Sequence, residues 1–474
     1  MHVTTIDHYR PAPGEFLSWS VDASGSVAQP SRVPPSFNQS VHLSGADDHS
    51  TWLAASFRVS GRIDRDALAR AYHALITRHG TLHSSFTKRD NGVTREEHDP
   101  RTLVLTENPG VRATSPAALQ QAVWATLDAA CHPFGFPAYL LAAIDRRDRS
   151  TILCGFDHAH VDAYSMSIII DDLHTLYEGF RGATEDARPQ CLPMSGNFVD
   201  YCAAEAEMTE VGPSDPRLLS WLRFFDDHGG GPPTFPLDLG LGAGERAPQG
   251  ADVRPLLDAA STERLAGLCR RNGCSTYGGV LSAMAHAVRR LGGGPELALL
   301  FPMHTRRSEP WHNAVGWFTT NAPISVVGTD DLRDTLRRTG PELRRAMRLG
   351  GVPIPQVISA LGGLSRVRDD IFMVSYVDYR AVPGAAIHDE IDAQHISNVT
   401  TADDAQFWIS RTIRGLSIRS RYPDTDMGRA TITEFLAEVR GILTEAVDAR
   451  SVPPAGLSSV TSDDLGQSPV NALA

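Results

Sequence analysis

The hydrophobic pattern is clearest where a continuous apolar run passes directly into a periodic one. Residues 152–156 are apolar and predict a buried strand. Between residues 165 and 180 the apolar side chains recur every three or four positions, which predicts a helix with one face against a core. Residues 157–163, which contain two aspartates and two histidines, therefore form a strand-to-helix turn. A turn of this kind holds its side chains on a rigid scaffold.

Along the rest of the chain, the same periodicities predict strands and helices that alternate unevenly. Strands are predicted at 36–43, 53–59, 81–86, 137–144, 151–154, 297–301, 321–327, 371–376 and 406–410. Helices are predicted from an Asp64 cap to a stop at Gly80, from Ser115 onward, within 198–225, and at 262–271, 276–291 and 431–447. Uneven alternation favours mixed sheets with helices packed on them, and hence the α+β class.

The chain also divides into two halves that contain the same types of element. We predict a first half over residues 1–190 and a second over 251–450, joined by a connecting segment, 191–250. That segment includes the glycine and proline cluster at 229–233, which is typical of a crossing between two structural units. Residues 451–474 are small and polar, so we predict a disordered tail.

Composition excludes several classes of function. With 474 residues and 42% hydrophobic content, the chain is long and apolar enough for a large core. Its net charge of −12 argues against a nucleic-acid surface, which needs a dominant basic face. Lys88 is the only lysine, and its neighbours fit neither a P-loop nor a Schiff-base site.

Cysteine usage and hydropathy indicate a cytoplasmic protein. The six cysteines lack the spacing of a disulfide framework and resemble reduced, buried small residues. No stretch has the length of a membrane span, and the first residues do not resemble a secretion signal. We therefore expect neither a membrane nor a nucleic acid as partner.

The strand-to-helix turn carries the candidate chemistry. His158 and Asp162 are four positions apart there, and a neutral imidazole is the side chain best suited to accept a proton near pH 7. A purely structural role is the alternative, because the chain contains 18 histidines. Neither an H-E-x-x-H helix nor a paired-cysteine spacing is present, so we predict no metal.

Five short segments, taken in order, resemble a known family. Residues 78–86 are similar to an RHxxLRTxF segment, 157–163 to HHxxxDG, 198–201 more faintly to YxDF, 315–321 to GxFxNT, and 370–376 to a strand of the second lobe. The family is that of the condensation-domain acyltransferases, which includes stand-alone nonribosomal peptide condensation enzymes and polyketide-associated acyltransferases, distant kin of chloramphenicol acetyltransferase. The H-x3-D-x14-Y spacing of the polyketide-associated branch is also present, with His158, Asp162 and Tyr177. Asp157 and Ala163 depart from the pattern, since the family has histidine and glycine there.

The resemblance, which covers about residues 35 to 445, implies a fold and a catalytic residue. The fold would be two chloramphenicol-acetyltransferase-like lobes in a V-shaped pseudo-dimer, each a mixed sheet with flanking helices. The halves 1–190 and 251–450 would be these lobes. A thioester donor and a nucleophile would enter a tunnel from opposite faces. His158 would stand in that tunnel and accept the proton of the nucleophile.

The resemblance also implies roles for other residues. Asp162 would be a structural anion paired with Arg306 of the second lobe, with Asp157 and Tyr177 as further support for the site. Tyr177 alternatively packs into the core as an ordinary helix residue. The predicted tunnel residues are Trp317, Asn321 and Ser165, of which Trp317 and Asn321 are alternatively ordinary strand residues. The predicted donor-docking residues are Arg337, Arg338, Arg344 and Arg345, which alternatively form a solvated helix face.

Three functions follow from the resemblance as hypotheses. The first is transfer of an acyl group from the phosphopantetheine thioester of an acyl or peptidyl carrier protein to a small-molecule alcohol or amine, in natural-product biosynthesis. The second uses acyl-CoA as donor, in lipid or polyketide assembly. The third is a catalytically silent binding or recruitment module. No bound cofactor is expected, because phosphopantetheine or coenzyme A would enter only as part of the donor.

Overall fold

The structure is a computed structural model that describes residues 1–45, 51–90, 92–113, 115–182 and 192–448. Contacts divide the chain into two compact units. Unit 1 comprises Met1–Thr209, Thr305–Thr319 and Val382–Thr400, and unit 2 comprises Glu210–His304, Thr320–Ala381 and Thr401–Ala474. Each unit is therefore assembled from separate stretches of sequence.

Strands and helices occur in both units. The strands are β1 His2–Thr5, β2 Glu15–Asp22, β3 Gln29–Pro30, β4 Trp52–Ser60, β5 Ser84–Arg89, β6 Gly92–Glu97, β7 Val104–Glu107, β8 Val111–Arg112, β9 Tyr139–Asp145, β10 Arg149–Asp157, β11 Ala247–Asp258, β12 Glu296–His304, β13 Thr319–Val327, β14 Met373–Asp378, β15 Gln394–Ser397, β16 Thr401–Ala402, β17 Gln406–Thr412 and β18 Gly415–Pro423. The α-helices are α1 Phe37–Ser44, α2 Arg65–Arg78, α3 Pro116–Ala130, α4 Ala163–Phe180, α5 Phe198–Ala206, α6 Pro216–Asp227, α7 Ala259–Arg271, α8 Thr276–Arg290, α9 Leu332–Leu349, α10 Ile354–Ala360 and α11 Asp426–Asp448. Short 3-10 turns lie at Gly80–His83, Pro100–Thr102, His158–His160 and Glu309–Trp311.

Unit 1 is built on a mixed sheet in the order β1-β15-β4-β10-β9-β2-β7, with β8 also paired to β2. β1 and β15 run parallel, while the other neighbours are antiparallel. Every residue of β9 is buried, because its alternate side chains enter two apolar clusters, one containing Leu141 and the other Leu140. The first cluster includes side chains of α2 and α4, and the second includes side chains of α3. The strand that carries the candidate site, β10, therefore has a rigid setting.

Unit 2 contains a second mixed sheet, in the order β13-β12-β14-β17-β18-β11-β16. β14 pairs in parallel with β12 and β17, whereas β18 pairs antiparallel with β17 and β11. One apolar cluster joins this sheet to α7, α8, α9 and α11. The prediction of an α+β protein with mixed sheets and flanking helices is confirmed.

The largest error in the predicted elements concerns residues 36–43, which form α1 rather than a strand. The Ser36 hydroxyl accepts the Gln39 amide, and the Gln39 side chain accepts the Ser36 amide, so a capping box starts the helix. Gln39 and Leu43 lie one helical turn apart and are both buried. The predicted strand at 81–86 also begins late, because Gly80–His83 is a 3-10 turn that precedes β5.

Three further predictions concern cysteines, membranes and the tail. The described cysteines are buried and lie outside any disulfide in the described part of the chain, namely Cys131, Cys154, Cys202, Cys269 and Cys274. Cys191 lies outside the described residues. Among the described helices, none combines the length and apolar character needed to cross a membrane. The tail at 451–474 also lies outside the described residues.

Candidate active site

The site is built on the turn that joins β10 to α4. The Asp157 amide donates to the Ala138 carbonyl at 2.9 Å, and its carboxylate accepts the Ala159 amide at 2.9 Å. The main chain of His158 donates to the Thr51 carbonyl at 2.8 Å. These bonds fix the first residues of the turn on both sides of His158. The backbone that carries the imidazole is thus held by the sheet.

His158 has a partly exposed side chain and one available ring nitrogen. Its ring stacks on the Trp317 indole, with centroids 3.9 Å apart and an interplanar angle of 29°. Nδ1 is buried and has no hydrogen-bond partner within the described structure. Nε2 is therefore the ring nitrogen on the accessible side of this partly exposed residue, and it is the one placed to accept a proton.

Electrostatics keep this imidazole in its basic, uncharged form. Burial lowers the pKa of His158, and the charge of His42 lowers it further. The contact with its own main chain and the nearby Asp157 and Asp162 carboxylates oppose these effects without overcoming them. A histidine with a lowered pKa is neutral at pH 7 and is therefore ready to act as a general base.

Asp162 and Arg306 form a buried ion pair behind the turn. The guanidinium donates to the carboxylate through Nη1 at 2.7 Å and Nη2 at 3.0 Å. The carboxylate also accepts the amides of Ser165, at 2.8 Å, and Phe318, at 3.1 Å. Burial raises the pKa of Asp162, but Arg306 and these hydrogen bonds more than offset that effect, so its pKa is lowered. The pair connects the start of α4 to the segment 305–319.

The placement of this pair corrects one detail of the resemblance. Arg306 was expected to come from the second lobe, but its segment, Thr305–Thr319, belongs to unit 1 by its contacts. The reason is visible in its bonds, since Arg306 contacts Asp162, Ser165 and the carbonyls of Ala314 and Gly316. All of these groups are in unit 1.

Ser165 occupies a different position from the one predicted. The resemblance implied a tunnel residue, but its side chain is fully buried. Its hydroxyl bonds to Asp162 at 2.8 Å and to the Gly316 carbonyl at 2.9 Å, and it accepts from Arg306 at 2.9 Å. Through these hydrogen bonds the Ser165 hydroxyl stabilises the ion pair, and because it is buried it has no surface that could contact a substrate.

His42 is a site residue that the sequence did not indicate. Its Nε2 lies 3.0 Å from the buried Asp157 carboxylate. Its ring centroid is 6.3 Å from that of His158 and 5.8 Å from that of Trp317. The contact depends on α1, which was predicted as a strand, and no local motif marks His42. A capping-box search at Ser36 is the signal that would have found the helix.

His160, the other histidine of the turn, has a structural setting. It is buried, with Nδ1 3.0 Å from the Thr81 hydroxyl and its ring against Phe86. Burial lowers its pKa to about 4. Across the described parts of the chain, no group of histidine, cysteine or acidic residues is arranged to hold a metal ion.

Tyr177 lies away from the turn, and Asn321 belongs to the other unit. Tyr177 is buried in α4, and its hydroxyl accepts the Asp64 amide at 3.0 Å. It is the fifteenth residue of α4, counted from Ala163, so it stands roughly 20 Å along the helix from the turn. Asn321 is partly exposed on β13 of unit 2. The structure thus brings together His158, Asp162, Arg306 and Trp317, and it does not bring Tyr177 to them.

The arginines predicted to dock the donor share one exposed face of α9. Arg337 is paired with Asp334 and also donates to Asn272, and Arg344 donates to the Gly273 carbonyl at 2.9 Å. Arg345 is paired with Glu342. The opposite face of α9 is apolar and packs into the unit 2 core.

Known proteins similar to this chain were found at the levels of family, sequence and fold. A family model described as Condensation domain matches residues 38–464. Acyltransferase PapA3 of Mycobacterium tuberculosis is 25% identical over 468 residues, which cover 94% of this chain and 97% of that protein. The 2'-acyl-2-O-sulfo-trehalose (hydroxy)phthioceranyltransferase PapA1 of the same species is 25% identical over 466 residues, which cover 93% and 88%.

Two solved structures have the same fold. PapA2 acyl transferase superposes with a TM-score of 0.84 at 21% identity, covering 95% of this chain and 100% of that one. The first condensation domain of the calcium-dependent antibiotic synthetase, in complex with a substrate analogue, superposes with a TM-score of 0.65 at 16% identity, covering 90% and 97%.

Proposed function

The chain belongs to the condensation-domain family, and we propose that it transfers an acyl group from a thioester to an alcohol, with His158 as the general base. It is an acyltransferase, as are the relatives that match over nearly its whole length. The observation that carries the proposal is the state of one imidazole. His158 is partly exposed, its pKa is lowered, and its Nδ1 is buried, which leaves Nε2 as the ring nitrogen that a substrate can reach.

The reaction needs only one proton to be moved twice. Nε2 of His158 accepts the proton of the acceptor hydroxyl as its oxygen attacks the thioester carbonyl carbon. The carbon–sulfur bond then breaks, and the imidazolium returns the proton to the departing thiolate. The Asp162–Arg306 pair holds the turn, so the base keeps its orientation through both transfers.

An alcohol is the acceptor we favour. The names of two relatives describe acylation of trehalose derivatives, in one case a 2'-acyl-2-O-sulfo-trehalose and in the other trehalose-2-sulfate. A sugar hydroxyl is therefore the first acceptor class to test. An amine is the second, because a condensation domain of an antibiotic synthetase shares the fold.

For the donor, we propose a carrier-protein thioester that docks on the exposed arginines of α9. The side chains at 337, 338, 344 and 345 give this helix a basic face in a chain of net charge −12. Such a face attracts an acidic partner. Acyl-CoA is the alternative donor, since it presents the same phosphopantetheine arm. A cytoplasmic location is part of the proposal, because both donors are made there.

The donor question is tested by charge reversal on α9. Arg338→Glu combined with Arg344→Glu is expected to lower kcat/KM for an acyl-carrier-protein donor about tenfold or more, while kcat/KM for acyl-CoA stays within twofold. Arg429→Glu, on the exposed surface of α11, is the matched control. Equal activity of the variant and the wild type with the carrier-protein donor would contradict this docking surface.

The catalytic proposal is tested by replacing the base. His158→Ala should lower kcat/KM about 10²- to 10⁴-fold, the range typical of a lost general base. His174→Ala, in the helix that follows the turn, is the matched control and should retain full activity. Unchanged turnover in His158→Ala would refute the proposal. Wild-type protein that binds an acyl carrier protein and turns over neither donor would favour a silent binding module.

A further inference from the structure

We infer that His42, held by Asp157, is a positioning residue of this site that keeps His158 uncharged and its ring seated against Trp317. The inference rests on the proposed function of His158, and it assigns a second imidazole to the site. That imidazole comes from α1, a helix outside the strand-to-helix turn.

Asp157 places a carboxylate next to His158 in the chain and within hydrogen-bonding distance of His42. This carboxylate ends β10 and is fully buried. One oxygen accepts the Ala159 amide and contacts Nε2 of His42, whereas the other has no hydrogen-bond partner within the described structure. In the same described residues, His42 is the basic side chain that forms an ion pair with it. A buried carboxylate is stabilised by a basic partner, and His42 is the side chain placed to provide it.

Hydrogen bonds hold α1 rigidly against the turn. Gln39 is buried, donates to the Ala159 carbonyl at 2.7 Å and accepts from Arg95 at 2.8 Å. The capping box at Ser36 fixes the first turn of the helix. Because α1 is bonded to the turn itself, His42 is held at a constant distance from it.

The rings of His42, His158 and Trp317 lie close to one another. Trp317 stacks on His158 on one side and meets His42 edge-on, at 5.8 Å and 74°. The His42 and His158 centroids are 6.3 Å apart. At this distance a positive charge on His42 disfavours a second positive charge on His158. The shared indole in turn keeps the His158 ring from swinging away.

The other charged groups around the two rings leave His42 as the main influence. Asp162 faces His158 from the start of α4, but it is neutralised by Arg306. Asp157 lies next to His158 in the chain and is paired with His42. His160, which interacts with both Asp157 and His42, is buried, and its pKa is about 4. Removing His42 therefore deletes a repelling cation and also unmasks the Asp157 anion. Both changes favour protonation of His158.

The contact between His42 and Asp157 accounts for a departure from the family pattern. The position before the catalytic histidine, a histidine in the family segment, is Asp157 here. In this chain the aspartate recruits an imidazole from α1 instead. The site thus contains a histidine next to its base, but on a different element.

The test follows the titration of His158 directly. Protein labelled with ¹⁵N-histidine is titrated by NMR, and the His158 ring signals are assigned with His158→Gln. His42→Gln keeps a side chain that donates to Asp157 but removes the charge. We expect the His158 midpoint to rise by about one pH unit. In the double variant His42→Gln/Asp157→Asn the midpoint should return toward the wild-type value.

The control and the contrary outcomes separate this inference from the proposed function. His174→Gln should leave the His158 midpoint unchanged. A midpoint that does not move in His42→Gln, or that stays raised when Asp157→Asn is added, would overturn the inference. If His42→Gln misfolds, Asp157→Asn alone provides the test. This variant removes the negative charge next to His158, so the His158 midpoint must not rise above the wild-type value. A rise would overturn the inference. Activity of His158→Ala is measured separately, so the proposed function fails or holds independently of the titration.

The same coupling has a kinetic signature. In His42→Gln the acid limb of kcat/KM should move to higher pH by the same amount as the NMR midpoint, while activity well above that limb stays within a fewfold of the wild type. A merely structural loss would lower activity at every pH. A uniform loss, with the acid limb unmoved, therefore contradicts the positioning role.

Discussion

Replacing Asp162 by asparagine isolates the energetic contribution of the buried ion pair. Asparagine caps a helix about as well as aspartate, so the start of α4 keeps its cap. The charge is lost, however, and the Arg306 guanidinium, whose side chain is 2% exposed, is left without its anion. The new amide group also faces donors, because Arg306 and the Phe318 amide both point at the carboxylate.

The expected cost follows from these contacts. Removing one partner of a buried ion pair destabilises a protein by about 3–5 kcal/mol. Asp64 offers a matched control, because it caps α2 in the same way but is only partly buried and forms no ion pair within the described structure. Asp64→Asn should therefore change the free energy of unfolding by less than about 0.5 kcal/mol.

The assay is urea-induced unfolding of the wild type, Asp162→Asn, Arg306→Met and the double variant. The two single changes should not add, since the second removes a group that the first has already left unpaired. A coupling free energy of at least about 2 kcal/mol is expected. The reasoning is refuted if Asp162→Asn costs no more than Asp64→Asn, or if the single costs simply add.

Three further predictions concern stability. Tyr177→Phe should lower the free energy of unfolding by about 1 kcal/mol, because it removes the acceptor of the Asp64 amide, and should leave kcat unchanged. Gly316→Ala should destabilise the protein by at least about 1–3 kcal/mol, since a Cβ there would stand 2.3 Å from Phe198. The pKa of His160 is about 4 in the folded protein and about 6.5 in the unfolded chain, so the unfolded chain takes up a proton first as the pH falls. The free energy of unfolding should therefore decrease by roughly 3 kcal/mol between pH 6.5 and 4.

Each of these predictions has its own check. A fall in kcat for Tyr177→Phe would indicate that the Tyr177 hydroxyl takes part in the reaction. Gly212→Ala, where nothing lies within 4 Å of the added Cβ, should be tolerated and is the control for Gly316→Ala. For His160, the slope of the unfolding free energy between pH 6.5 and 4 should flatten in His160→Gln, and an unchanged slope would contradict the assignment.

Helix caps and apolar periodicity, taken together, predicted secondary-structure elements correctly. The Asp64 and Ser115 caps both start helices, and α4 follows the periodicity found between 165 and 180. The prediction for α1 was wrong because its few apolar residues are spaced like those of a strand, whereas the helix is marked only by the capping box of Ser36 and Gln39. Segments that are individually weak nevertheless identified the family, which the match over residues 38–464 confirms.

The site was less accessible to local inference. His158 and Asp162 lie on one turn, so their spacing was informative. His42 is 115 positions from Asp157, and its contact depends on how α1 packs. Ser165 could be placed near the turn, but whether its hydroxyl faces a passage or the ion pair depends on Arg306 and Gly316, which are distant in sequence.

The late strand β15 has a consequence for the order in which the protein forms on the ribosome. It lies between β1 and β4 in the unit 1 sheet, although it is the stretch Gln394–Ser397. Until that stretch has been synthesised, β1 has no neighbour in the sheet and β4 has an open edge. A nascent or truncated chain that ends before it exposes a strand edge that invites pairing with other chains. We therefore expect that residues 1–209, expressed alone, will aggregate, and that supplying the missing strand within one polypeptide will be needed for a soluble unit.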